Sequence, residues 1–71
     1  MLEKSFPDSS NVRYLTWSKE TLTVTFKKGR KYRYTPVSKA LYHELCGADS
    51  VSSAVNEKIV ADTSLSVSKL N

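Results

Sequence analysis

Five cations in the middle of the chain form the feature of this sequence most able to do chemistry. Lys27, Lys28, Arg30, Lys31 and Arg33 lie within seven residues that contain no acid. Clustered cations of this kind bind phosphate oxygens and release the counterions condensed on a polyanion. Clustered cations are equally typical of a solvated hairpin tip that has no ligand and only resists aggregation. Both interpretations of this segment, the basic hairpin (Lys27 to Arg33), stay open at this point.

Side chains able to catalyse a reaction are few. His43 is the single histidine and Cys46 the single cysteine, and on the helix predicted below they face solvent and the sheet respectively. Gly29 and Gly47 fit backbone turns rather than a phosphate-binding loop, and no metal-ligand spacing occurs. We therefore expect a non-enzymatic binding module without catalytic residues, metal or cofactor.

Length and charge narrow the class of protein further. A chain of 71 residues forms one domain with a small core. The five cations of the basic hairpin exceed the net charge of +4 by one, so the rest of the chain is close to neutral. A lone cysteine, the lack of a secretion signal and the lack of an apolar membrane span predict a cytoplasmic protein without membrane contact.

Three consecutive strands are predicted around the basic hairpin. Residues 21–26 alternate hydroxyl and apolar side chains, which indicates a strand with one buried and one wet face. Residues 12–17 and 31–35 form the first and third strands. A Lys19-Glu20 loop and a three-residue or bulged loop near Gly29 join them to this central strand. The apolar positions change parity along the first strand, so we expect a bulge there.

This register separates the side chains onto two faces. Tyr32 and Tyr34 join the core face with the aliphatic residues, while the other face is solvated. The predicted solvated face consists of Tyr14, Thr16, Thr23, Thr25, Lys31 and Arg33. Tyr14 is the one aromatic side chain predicted to be exposed there and thus able to stack on a base. The candidate nucleic-acid-binding residues are Lys27, Lys28, Arg30, Lys31, Arg33 and Tyr14.

Two helices are predicted after the third strand. Ser38 caps the first, and Gly47 ends it. Asp49 or Ser50 caps the second, which runs to about Val60 with its apolar residues on one side. The predicted fold class is therefore α+β, a three-stranded antiparallel β-meander with two C-terminal helices packed on one face.

The two ends of the chain show no comparable periodicity. We predict an N-terminal arm over residues 1–8, an α+β domain over 9–60 and a flexible tail over 61–71. Serine alternates with apolar residues in the tail, so an extra edge strand is the alternative. The free edges of the first and third strands could pair with a second copy, but we expect a monomer rather than a weak dimer.

A set of residues in fixed order resembles the KTSC domain family. The matching positions are Ser9-Ser10-Asn11-Val12, Trp17, Leu22-x-Val24-x-Phe26, Gly29, Tyr32-Arg33-Tyr34, Val37, Tyr42, Leu45, Ala48, Ser50, Asn56 and Ile59. The chain departs from the family pattern between Val51 and Val55. Domains of this family occur at the C-terminus of some lysyl-tRNA synthetases and as free-standing bacterial or phage proteins, a context that implies contact with RNA.

Two functions follow as hypotheses. The first is an RNA- or polyanion-binding module that uses the basic hairpin and the open sheet face. The second is a protein-interaction module, such as a phage or bacterial accessory protein, that docks through a sheet edge or helix face and has no nucleic-acid role. A salt titration separates them, because only polyanion binding weakens steeply with ionic strength.

Overall fold

An antiparallel sheet with helices on one face forms the protein, and the computed structural model describes residues 1–70. The strands, in both chain order and sheet order, are β1 Leu2–Ser5, β2 Val12–Ser18, β3 Thr21–Phe26, β4 Lys31–Thr35 and β5 Ser66–Lys69. The helices are α1 Lys39–Cys46 and α2 Val51–Val55, and α2 continues as a π-helical turn over Asn56–Val60. The α+β class and the central meander β2-β3-β4 are confirmed.

The predicted strand count is wrong, because the sheet has five strands rather than three. Residues 2–5 of the predicted arm pair with β2, and residues 66–69 of the predicted tail pair with β4. The helices therefore lie between β4 and β5 and are not strictly C-terminal. The first and third strands of the predicted meander have no free edge, since β1 and β5 cover them. The extra edge strand given as the alternative for the tail is present as β5. The flexibility of residues 61–71 stays a prediction.

The predicted register of the first hairpin is confirmed, and the turn reveals an unusual backbone. Trp17 lies opposite Leu22, and Leu15 lies opposite Val24. Lys19 and Glu20 have φ angles of 47° and 63°, in the left-handed region that two-residue hairpin loops require. Neither residue is glycine or asparagine, so this turn is held in its conformation at some cost.

The expected bulge in β2 is present at Arg13. Val12 pairs with Phe26 and Tyr14 pairs with Thr25, so Arg13 is the additional residue. The shift turns both Val12 and Leu15 into the core, where neither is exposed to solvent. Tyr14 consequently faces away from the helices, as the sequence predicted.

Both helices begin at the predicted serine caps. The Ser38 hydroxyl accepts a hydrogen bond from the Leu41 backbone N–H at 3.1 Å, and the Ser50 hydroxyl accepts one from Ser53 at 3.3 Å. Ser50, rather than Asp49, is thus the cap of α2. Gly47 ends α1 as predicted.

The core lies between the helices and one face of the sheet. Its buried hydrophobic residues are Val12, Leu15, Leu22, Val24, Phe26, Tyr34, Val37, Tyr42, Leu45, Val51, Ala54, Val55 and Ile59. Tyr34 is buried as predicted, while Tyr32 is only half-buried and contacts the Phe26 ring edge-on. The Trp17 indole N–H donates to the Val37 carbonyl at 2.7 Å and ties the sheet to the segment that precedes α1.

The loop between β1 and β2 is joined to α2 by hydroxyl groups. The Ser9 and Ser52 hydroxyls lie 2.7 Å apart, and the Asn11 backbone N–H donates to Ser52 at 3.1 Å. Ser9 also accepts from the Val12 backbone N–H at 3.2 Å. The Ser9-Ser10-Asn11-Val12 segment therefore has a structural role in positioning the start of β2.

The buried Tyr42 phenol is expected to lower the stability of the folded protein at alkaline pH. Burial raises the pKa of Tyr42 to about 12, with a smaller contribution from the neighbouring Cys46 thiol. An unfolded tyrosine ionises near pH 10, so above that pH the unfolded chain binds fewer protons and the folded state loses stability as pH rises towards 12. At pH 11 this loss is on the order of 1 kcal/mol.

Urea unfolding of wild type and Tyr42→Phe between pH 8 and 11 measures this effect. Tyr42→Phe should show a shallower alkaline decline, and Tyr14→Phe on the opposite face is the matched control. An identical decline in wild type and Tyr42→Phe would contradict the assignment.

Candidate nucleic-acid interface

The tip of the basic hairpin is a single 3-10 turn over Lys27–Gly29. Lys28 and Gly29 have φ angles of 75° and 83°, which confirms the positive φ predicted for Gly29. A side chain at Gly29 would meet no atom within 4 Å, so the backbone angle, not space, favours glycine there. The turn places Lys28 and Arg30 in solvent.

Backbone hydrogen bonds hold this tip against the rest of the sheet. The Phe26 N–H donates to the Arg30 carbonyl, and the Lys27 N–H donates to the Asn11 carbonyl, both at 2.7 Å. The Arg30 guanidinium lies 5.8 Å from the centre of the Phe26 ring. Arg30 therefore contributes a cation–π contact as well as charge, whereas the Lys28 side chain makes no hydrogen bond or salt bridge within residues 1–70.

The sheet face opposite the helices, the open face, contains three of the six candidate residues. Lys31 pairs with Thr25, which pairs with Tyr14 on the other side, so these three residues form one row across the sheet. Two strand spacings separate Tyr14 from Lys31, or about 10 Å. Arg33 lies in the next row opposite Thr23.

Each candidate side chain is at least partly accessible. Lys28, Arg30, Lys31, Arg33 and Tyr14 are exposed, and Lys27 is half-buried. Within residues 1–70 the recorded salt bridge joins Lys58 to Glu44 at 2.8 Å, and no cation of the basic hairpin takes part in one. These charges are therefore free to meet a ligand anion.

Tyr14 borders a shallow depression of about 520 Å³ next to the basic hairpin. Its lining residues are Ser5, Phe6, Pro7, Arg13, Tyr14 and Lys27. The half-buried Lys27 thus belongs to the surroundings of Tyr14 rather than to the exposed tip. A base stacked on Tyr14 would find Arg13 and Lys27 near its phosphates.

Sequence reasoning missed several polar residues of this surface. Arg13 joins the depression because the bulge interrupts the alternation of β2. Ser68 lies opposite Arg33 and Ser66 lies opposite Thr35, which extends the hydroxyl-rich open face by one strand. The alternation of serine with apolar residues in the tail was the signal for these two serines.

The described part of the chain has few side chains suited to catalysis or metal binding outside the basic hairpin and the open face. His43 is exposed and contacts the Tyr42 ring, while Cys46 is half-buried beside the core. In residues 1–70 no three side chains among His, Cys, Asp and Glu are grouped so that they could hold a metal ion. No helix within the same residues is long and apolar enough to cross a membrane.

The fold defines a small α+β module in which the helices cover one side of an antiparallel sheet. Residues 8–62 match the KTSC domain, and the chain therefore belongs to the KTSC domain family. No curated protein matches the chain. The matched residues contain β2, β3, β4 and both helices, whereas β1 and β5 lie outside them.

Proposed function

We propose that this domain is a non-enzymatic module that binds single-stranded RNA, or a similar polyanion, across the basic hairpin and the open face. The observation that supports this most is the continuity of one surface. The exposed tip leads directly to Lys31 and Arg33 on the open face, where Tyr14 offers an aromatic ring. Cations that follow a backbone, beside an aromatic platform for bases, are the features that sequence-tolerant strand binding requires.

The lack of side-chain partners favours binding over a structural role for these cations. Lys28, Lys31 and Arg33 make no side-chain hydrogen bond or salt bridge within residues 1–70, so the fold does not use their charges. Hydroxyl groups around them can donate to phosphate oxygens and to the 2′-OH groups of RNA. Their removal should therefore affect ligand binding and not stability.

The test compares two double variants that both lower the net charge from +4 to +2. Lys31→Gln with Arg33→Gln changes the open face, while Lys39→Gln with Lys58→Gln changes exposed cations on the helices. Fluorescence anisotropy with a labelled single-stranded RNA of about 12 nucleotides measures affinity across a salt series.

We expect the open-face variant to bind about tenfold more weakly at low salt, with the slope of log K against log salt smaller by about 1.4, or 0.7 for each lost phosphate contact. The helix variant should stay close to wild type, and both should melt within a few degrees of it. Equal losses in the two variants would show that only net charge matters and would contradict a specific face.

A protein-interaction function remains the second candidate because of one feature of β5. Val67 and Leu70 are 56% and 42% exposed at a sheet edge where Lys69 is the one charged residue. Such an edge can accept a strand from another protein. Binding of a protein partner that persists in roughly 0.5 M salt and is lost in Val67→Lys would favour this function over RNA binding.

A further inference from the structure

The open face has a concavity of about 310 Å³ at the end that lies away from the basic hairpin, beside the β2-β3 turn. Its lining residues are Met1, Thr16, Ser18, Lys19, Thr21, Thr23 and Arg33. Two of them are cations, four bear hydroxyl groups and none is an acid. Of these residues, only Arg33 is also one of the six candidate nucleic-acid-binding residues.

Strand pairing brings the hydroxyl groups together on one face. Ser18 lies opposite Thr21 and Thr16 lies opposite Thr23, so the four side chains form two adjacent rows on β2 and β3. Arg33 extends the second row, since it pairs with Thr23 from β4. The arrangement therefore depends on the register of three strands.

Three of these four hydroxyl groups have no hydrogen-bond partner within residues 1–70. Thr21 donates to the Lys19 carbonyl at 3.4 Å, but Thr16, Ser18 and Thr23 make no side-chain hydrogen bond within residues 1–70. All three are half-buried, so their orientation is restricted while their donors stay available. Hydroxyl donors, an arginine fork and a lysine charge together match the oxygens of a phosphate group.

Among residues 1–70 no acid lines the concavity, and the two acids beside it are Glu20 and Glu3. Glu20 lies in the adjoining turn but does not line the concavity. Glu3 lies opposite Thr16 on β1, about 5 Å from that edge of the concavity, and three strand spacings, about 14 Å, separate it from Arg33. That distance exceeds the screening length at physiological salt.

The turn itself gives a second reason to assign a function here. Lys19 has a left-handed backbone where asparagine or glycine would be favoured, and it places a cation at the rim of the concavity. The Glu20 carbonyl accepts hydrogen bonds from the Val37 N–H at 2.7 Å and from the Thr35 hydroxyl at 3.3 Å, which hold the turn in this shape.

We infer that this concavity is a phosphate-binding subsite. Its volume equals roughly ten waters, which accommodates a phosphate group together with part of an attached sugar. Where the phosphate belongs to an RNA strand, the inference rests on the proposed function. One strand can reach both places, because about 14 Å of β3, from Thr21 to Thr25, separates the concavity from the row of Lys31 and Tyr14. A free phosphate or small phosphorylated compound presents the same chemistry.

The test is an NMR titration of the whole ¹⁵N-labelled chain with inorganic phosphate at constant ionic strength, with chloride as the reference anion. We expect saturable shifts at the amides of Thr16, Thr23 and Arg33 that chloride does not produce. Lys19→Asn should weaken phosphate binding at least threefold without lowering the melting temperature, since asparagine suits the turn. Lys39→Gln, on α1, should bind phosphate as wild type does.

A second titration with the RNA distinguishes the source of the phosphate. Shifts at Thr16 and Thr23 that saturate with RNA, and an RNA affinity reduced in Lys19→Asn, assign the subsite to the strand. Phosphate binding without RNA binding would remove the proposed function and leave the subsite as one for a small phosphorylated ligand. Shifts that do not saturate, or that saturate only at Lys27–Arg30, would overturn the subsite whatever the RNA does.

Discussion

Replacing Tyr34 with alanine is expected to lower the free energy of unfolding by about 3–5 kcal/mol, while Arg33→Ala should change it by no more than about 0.5 kcal/mol. The two residues are neighbours in β4 but point to opposite faces of the sheet. Tyr34 is 7% exposed in the core, and burial raises the pKa of its phenol. Arg33 is exposed on the open face and makes no salt bridge within residues 1–70.

Urea unfolding of the two variants measures this difference. A domain of this size has only a few kcal/mol of stability, so Tyr34→Ala should be largely unfolded and inactive for that reason alone. Tyr34→Phe is the control, because it keeps the ring and should stay within about 1.5 kcal/mol of wild type. Strong destabilisation by Arg33→Ala would mean that the two faces of the sheet are assigned the wrong way round.

Ending the chain at Asp62 is expected to cost about 2 kcal/mol of unfolding free energy, although it removes residues that are mostly exposed. Leu65 packs against the core, and β5 supplies the ladder partner of β4 from Thr35 to Tyr32. Its loss uncovers part of Tyr34 and leaves the edge of β4 unpaired. The shortened chain retains the end of the helical segment, where the Asp62 N–H donates to the Ile59 carbonyl at 3.2 Å.

Denaturant unfolding of the full and shortened chains provides the comparison, and sedimentation shows whether the uncovered β4 edge now pairs between copies. Val67→Thr in the full chain is the control for side-chain effects, since Val67 is 56% exposed and the change should be nearly neutral. An unchanged stability after removal of residues 63–71 would support the flexible tail that the sequence predicts and would show that β5 contributes little.

The central meander and both helices could be predicted because their signals are local. Thr21–Phe26 alternates hydroxyl and apolar side chains, and this alternation matches the face that each residue occupies, apart from the near-complete burial of Thr25. Ser38 and Gly47 bound α1 through hydrogen bonds to residues within four positions. Such patterns require no knowledge of distant segments, which is why the registers of Trp17 with Leu22 and of Leu15 with Val24 were also correct.

The edge strands could not be predicted in the same way. Every residue of β5 is exposed, and so is every residue of β1 except Leu2, so neither segment has to alternate apolar and polar side chains. They exist as strands because their backbones pair with β2 and β4. Pairing through backbone groups is compatible with many side-chain sequences, so it produces only a weak pattern in the amino-acid sequence.

The candidate site also combines features that local sequence patterns predict with features that depend on strand pairing. The sequence by itself determined the basic hairpin, the exposure of Tyr14 and the opposite faces of Arg33 and Tyr34, since charge clusters and period-two alternation are properties of contiguous residues. Only the tertiary structure placed Lys19 near Arg33 with the hydroxyl groups between them, because that arrangement needs three strands in register and a left-handed turn. Distances between residues on different strands depend on how the backbone pairs, and the order of residues along one strand does not contain them.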